Sequence, residues 1–133
     1  MVVMVEIKSI IIQEVMVKMD HLLNEIIGLD TITSYNIDNG TWYKASEVGD
    51  AMDYNKSRKA LYKIISGHQD DFKGMTRVIK VPGKSFNPVT QKEYTAHRET
   101  LVINKEGIIR LLIYSSMPIA ERFKEALIKK MAH

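Results

Sequence analysis

The chain has 133 residues, 45% hydrophobic and 26% charged, the size and balance of one globular domain built on a single core. It contains no cysteine, which excludes disulfides and thiolate-ligated zinc or iron–sulfur sites, and a reducing, intracellular compartment is expected. The net charge of +3 is unevenly placed: residues 1–43 hold two bases against six acids, whereas residues 54–98 hold ten bases against three acids. Such asymmetry points to a polyanionic partner, a solvated basic surface being the plain alternative. No apolar run approaches the ~20 residues of a membrane span, and no basic segment opens a secretion signal, so a soluble protein is expected.

Apolar residues at Ile12, Val15, Met16, Met19, Leu22, Leu23, Ile26 and Ile27 recur at helical spacing, and Gly28 follows the last of them. This predicts an amphipathic amino-terminal helix with its stop signal. Its stripe must be buried somewhere, either on the chain's own domain or in a homodimer. Residues 1–29 are read as this extension or dimerisation element, and residues 30–133 as the domain proper. From Thr31 the grammar changes to β-branched and aromatic runs around Asn39-Gly40, a hairpin signal because both residues accept positive φ.

Two short helices are expected next, one over Ala45 to Met52 and one through Ala60, Leu61, Ile64 and Ile65, joined by Asp53-Tyr54-Asn55. Ser46 can cap the first; Asn55 or Ser57 can cap the second. Two strands follow, Thr76 to Val81 and Glu93 to Ile103, with Pro82 through Thr90 read as a protruding loop rich in proline, glycine and small polar residues. Asn104 caps a helix through Ile108, Leu111 and Leu112, and Pro118 opens a last one. The fold class is therefore α+β: a compact domain with short antiparallel hairpins, a helix-turn-helix-like pair, carboxy-terminal helices and the additional amino-terminal helix.

Two basic stretches carry the candidate chemistry. Asn55, Lys56, Ser57, Arg58, Lys59 and Lys63 crowd the start and one side of the second short helix, where a helix entering a major groove places its base-reading and phosphate-binding residues. Arg77, Lys80, Lys84, Lys92, His97 and Arg98 decorate the second hairpin, a basic ribbon able to follow phosphates, with Ser85, Asn87 and Gln91 as further hydrogen-bonding groups. The helix stretch favours DNA contact over a solvated face, whereas the hairpin is equally compatible with a mobile surface loop. Of the aromatics, Tyr54 at the helix–helix turn is the expected exposed stacking group, and Trp42 is expected in the core.

Catalytic signals are lacking. His21, His68, His97 and His133 show no ligand spacing, and Asp70-Asp71 after His68 reads as an acidic turn before it reads as a metal or nuclease site. No phosphate loop or nucleophile elbow is present. Neither catalysis, metal nor cofactor is expected.

The order of residues also carries a resemblance. Trp42-Tyr43-Lys44-Ala45-Ser46-Glu47-Val48, then Ala51-Met52-Asp53-Tyr54, then Ser57-Arg58-Lys59-Ala60-Leu61, resembles the opening of the BRO amino-terminal domain of large DNA viruses and phage antirepressors. Asp70-Asp71-Phe72-Lys73-Gly74-Met75, the run from Val102 to Ile113 and the run from Ser116 to Lys124 are similar to later segments of that domain, so the likeness spans roughly residues 32–128 in order. Ser57 stands where the family often has proline, Glu125-Ala126 replaces a frequent aromatic, and the amino-terminal helix lies outside the pattern. The resemblance implies DNA binding, duplex before single strand, in viral or phage gene regulation or replication, within the host nucleus or cytoplasm. An antirepressor-like module that meets an acidic protein is the alternative it leaves open. The carboxy-terminal domain frequent in such proteins does not follow, so recognition without catalysis is expected.

Overall fold

In the computed structural model, residues 18–54 and 56–131 are described, with the side chains of Ser57, Arg58 and Met131 left aside. The candidate Asn55 and the apolar stripe at Ile12, Val15 and Met16 lie outside the described residues. Helix α1 covers residues 18–27 of the described chain. A 3-10 turn, Leu29–Thr31, leads to strands β1 (Ser34–Ile37) and β2 (Gly40–Lys44), then to helices α2 (Ala45–Ala51) and α3 (Ser57–Gly67). After a second 3-10 turn, Gln69–Phe72, come β3 (Thr76–Asn87) and β4 (Lys92–Ile103), then α4 (Lys105–Tyr114) and α5 (Pro118–Met131). The four strands form one antiparallel sheet in the order β1-β2-β4-β3.

The helices share one core against one face of that sheet. Leu22, Leu23 and Ile27 of α1 are buried in the same cluster as Val48 and Met52 of α2, Leu61 of α3, Ile103 of β4, Ile108, Leu111 and Leu112 of α4, and Phe123 of α5. Over residues 18–27 the amino-terminal stripe therefore packs on its own domain. Gly28 ends α1 with φ +62°, and its N–H donates to the Asn24 carbonyl at 3.0 Å. Lys105 at the start of α4 pairs with Asp20, tying α1 to the far end of the sequence.

Several local expectations shift. The first hairpin turns on Asp38-Asn39, with φ of 50° and 62°, and Gly40 is already the first residue of β2, opposite Ile37. Asp and Asn tolerate left-handed backbone, so the turn needs no glycine. Ser46 caps nothing: β2 runs straight into α2, Lys44 takes the cap position, and Ser46 falls inside the helix. Lys56, likewise without a side-chain bond, precedes α3, rather than Asn55 or Ser57. Asn104 does cap α4, its Oδ1 accepting the Gly107 N–H at 2.9 Å, and Pro118 is the first residue of α5.

The largest shift concerns the second hairpin. Residues 82–87, read as loop, continue β3, which pairs with β4 over twelve registered positions from Thr76↔Ile103 to Asn87↔Lys92. Pro82 is tolerated because β3 is an edge strand, where a missing N–H need not break a ladder. Only residues 88–91 remain as the turn. Tyr54 also departs from expectation: it is half-buried against the core, and its hydroxyl lies 2.6 Å from Oγ of the fully buried Ser115.

Two changes test this packing. A Cβ on Gly107 would lie 2.5 Å from Ile103 Cγ1, and Ile103 is wholly buried, so Gly107→Ala is expected to cost about 1–3 kcal/mol in urea unfolding. Tyr54→Phe keeps the ring but removes a partner from buried Ser115, and the same measurement should show a loss of about 1 kcal/mol.

Candidate nucleic-acid interface

Strand β2 pairs with β4 only at Tyr43↔Ile103 and Lys44↔Val102. From Val78↔Leu101 outward, β3 and β4 pair only with each other, to the closing pair Asn87↔Lys92. At ~3.3 Å per residue this two-stranded ribbon projects about 30 Å.

Side chains alternate along a strand, so registered partners share a face. One face carries Lys80 and Glu99 opposite each other, His97, Lys84, and Glu93 opposite Phe86; at its root it continues through Leu101 and Ile103 into the helical core. The other carries Arg77, Ile79, Val81, Gly83, Ser85 and Asn87 from β3, with Lys92, Tyr94, Ala96, Arg98, Thr100 and Val102 from β4. By register it continues through Lys44 and Trp42 of β2 to Tyr35 of β1. This second face has Lys44, Arg77, Lys92 and Arg98 and no carboxylate at a strand position. Asp38, in the turn, meets Arg77 at 3.1 Å, and the same guanidinium lies 5.6 Å from the centre of the Trp42 ring.

Trp42 is thus not a core residue. It is half-buried on the sheet face away from the helices, stacked under Arg77, and belongs to the basic surface. Lys44 and Tyr94 were not singled out by sequence as interface residues. The signal was available in the alternation of 92–102, which sets Lys92, Tyr94 and Arg98 on one side, but it needs the true strand limits to be read.

Helices α2 and α3 stand beside the root of the ribbon. Where β2 leaves the sheet at Lys44, α2 continues along the edge of β4, and a notch opens between Lys44, Ser46 and Leu61 on one side and residues 98–101 on the other. Leu61 fixes α3 by burial in the core, while Lys56, Lys59 and Lys63 are exposed along a stripe at spacings of three and four residues. Arg58 and Ser57 begin the helix, and their side chains are not described. The structure therefore brings the α3 end of the notch near Arg98, groups Arg77, Lys92 and Arg98 on one ribbon face, and sets Lys80, Lys84 and His97 on the opposite one. Asn87 is engaged within the turn: its Oδ1 accepts from the N–H groups of Val89 at 2.9 Å and Thr90 at 3.4 Å.

The acidic turn is a packing device. The Tyr114 hydroxyl donates to Asp71, Arg110 stands 3.8 Å from the same carboxylate, and the His68 and Tyr114 rings stack at 3.8 Å and 9°. The hydrogen bond to Asp71 raises the Tyr114 pKa above its ordinary 10.0, because ionising the phenol would set two anions together. Among the described residues no group of three His, Asp or Glu side chains is placed to hold a metal ion, and no helix is long and apolar enough to cross a membrane.

Searches of curated proteins and of solved structures return no match. A family model described as the BRO family, N-terminal domain, matches residues 30–132, which takes in the sheet, the ribbon and helices α2 to α5. The chain belongs to the BRO family, and these residues are its amino-terminal, BRO-type domain.

Proposed function

We propose that the chain binds double-stranded DNA through the ribbon face that bears Lys44, Lys92 and Arg98, with the exposed lysines of α3 holding adjacent phosphates. The observation that carries this reading is the one-signed charge of that face along a two-stranded arm, a shape that fits a nucleic-acid groove. Membership of the BRO family, together with the resemblance of its motifs to domains of large DNA viruses and phage antirepressors, supports a role in viral gene expression or replication. Catalysis has no part in this reading.

The face-specific test compares two charge-matched variants of the full chain by gel retardation over a range of salt. Each lost phosphate contact reduces the slope of log affinity against log salt by ~0.9, so Lys92→Gln/Arg98→Gln should flatten it by about 1.8. Lys80→Gln/Lys84→Gln, which removes two lysines from the face carrying Glu93 and Glu99, should change it much less. Equal effects would refute the assignment to one face. Absence of retardation for every duplex at low salt would favour the antirepressor-like reading, in which the same bases meet an acidic protein.

Trp42, Tyr35 and Tyr94 on the same face favour a second reading, base stacking by single strands. Competition between a duplex and either of its strands distinguishes the two; release by duplex alone supports the first. Leu22, Leu23 and Ile27 are committed to the core, so a dimer through the amino-terminal stripe would have to use its members before residue 18. An unchanged sedimentation mass after deletion of residues 1–17 would refute such a dimer.

A further inference from the structure

The ribbon ends in apolar surface that no other described residue of the chain covers. Val89, in the four-residue turn, is 90% exposed; Phe86 is 58% and Tyr94 53% exposed, one on each face just behind the turn. By strand length they sit roughly 20–30 Å from the core, beyond the described helices. Water is a costly neighbour for such a group.

The turn is built to present Val89. Asn87 Oδ1 holds the N–H groups of Val89 and Thr90, the Asn87 carbonyl accepts from Gln91 N–H at 2.8 Å, and Gln91 takes φ +55° to bring the chain back into β4. Pro88 fixes its own φ. These backbone N–H groups are thus bonded within the turn, and Pro88 and Val89 are both left exposed in it. Lys92 at the closing pair stands immediately behind it on the basic face, placed to hold a phosphate beside whatever the tip enters, while Glu93 is the nearest charge on the opposite face. Among the described residues Ile128, at 69%, lies on α5 without such a setting, and Val78, at 56%, lies at the root of the ribbon, far from the turn.

We infer that Pro88 and Val89 form a wedge that enters between two base pairs of a bound duplex, unstacks that step and bends the DNA around the ribbon. This rests on the duplex-binding reading above and adds a deformation to it. An apolar tip backed by the cations of one face matches the needs of such a site: Lys92 and Arg98 anchor the backbone, while the apolar group gains a water-free contact with base faces that only an opened step provides. Polar contacts alone would not call for an exposed valine. A flexible pyrimidine–purine step is the least costly place to open.

The experiment uses the full chain and a short duplex with a central TA step, end-labelled for energy transfer and carrying 2-aminopurine at the step. The wild-type chain should bring the ends together by an amount that corresponds to a bend of about 20–90° and raise the 2-aminopurine fluorescence. Val89→Ser changes one exposed side chain. It should still retard the duplex, with affinity lowered no more than about tenfold, and should lose both signals. Ile128→Ser should retain both. Retardation by the wild-type chain with neither signal, or equal signals from Val89→Ser, would overturn the wedge and leave duplex binding standing. No retardation by any chain would overturn the binding reading and the wedge with it. A self-association that Val89→Ser abolishes, with DNA left straight, would assign the tip to a second copy of this chain and overturn the proposal.

Discussion

The close approach of Ile103 to the backbone of Gly107 is the contact on which the arrangement turns. Ile103 is the last residue of β4, fully buried, and it occupies the space that a side chain at position 107 would take. Between them, Asn104 donates its N–H to the Met75 carbonyl at 3.0 Å and accepts from Gly107 through its side chain, so the end of β4, the start of β3 and the first turn of α4 are fastened within five residues. The direction of the ribbon relative to the helices follows from this junction. With Leu111 and Phe123 behind it, the junction supplies the rigid base that a long two-stranded projection otherwise lacks.

Both edges of the projecting ribbon are open, which is a hazard for any sheet protein because free N–H and C=O groups invite another strand. The sequence answers it locally. Pro82 interrupts one edge, and charged side chains recur along both strands at Lys80, Lys84, Glu93, Arg98 and Glu99. The same residues set the charge of the arm, and their distribution differs by face. Where Lys80 is matched by Glu99 the charge is cancelled; where Arg98 stands opposite Val81 it is not.

Much of the architecture was legible in the residues. The period of α1, the cap at Asn104, Pro118 at a helix start, and the helical pair at 45–67 depend on local rules that tertiary contacts did not override. The errors have physical sources. Pro82 and Gly83 are loop-formers in isolation, yet an edge strand admits them, so the ribbon's length was concealed. Without that length the alternation of Lys92, Tyr94 and Arg98 had no face to belong to. Trp42 was placed in the core because large aromatics usually are; Arg77, thirty-five positions on in sequence, is what gives it a place on the outer face. Tyr54 was expected outside because it sits in a turn, and only the fold brings Ser115 to its hydroxyl.

The registered pairing of β3 with β4 also sets rules for change in the ribbon. Because faces alternate with every residue, the arm can grow or shrink only by two residues on each strand if Lys92 and Arg98 are to stay on the side of Trp42. A single inserted residue would exchange the two faces beyond it, putting glutamates where the cations were, unless a bulge absorbed it. Reach and polarity are thus coupled: an arm of this kind can change its length only in steps of about 7 Å if the identity of its basic side is to be held in phase by the ladder itself.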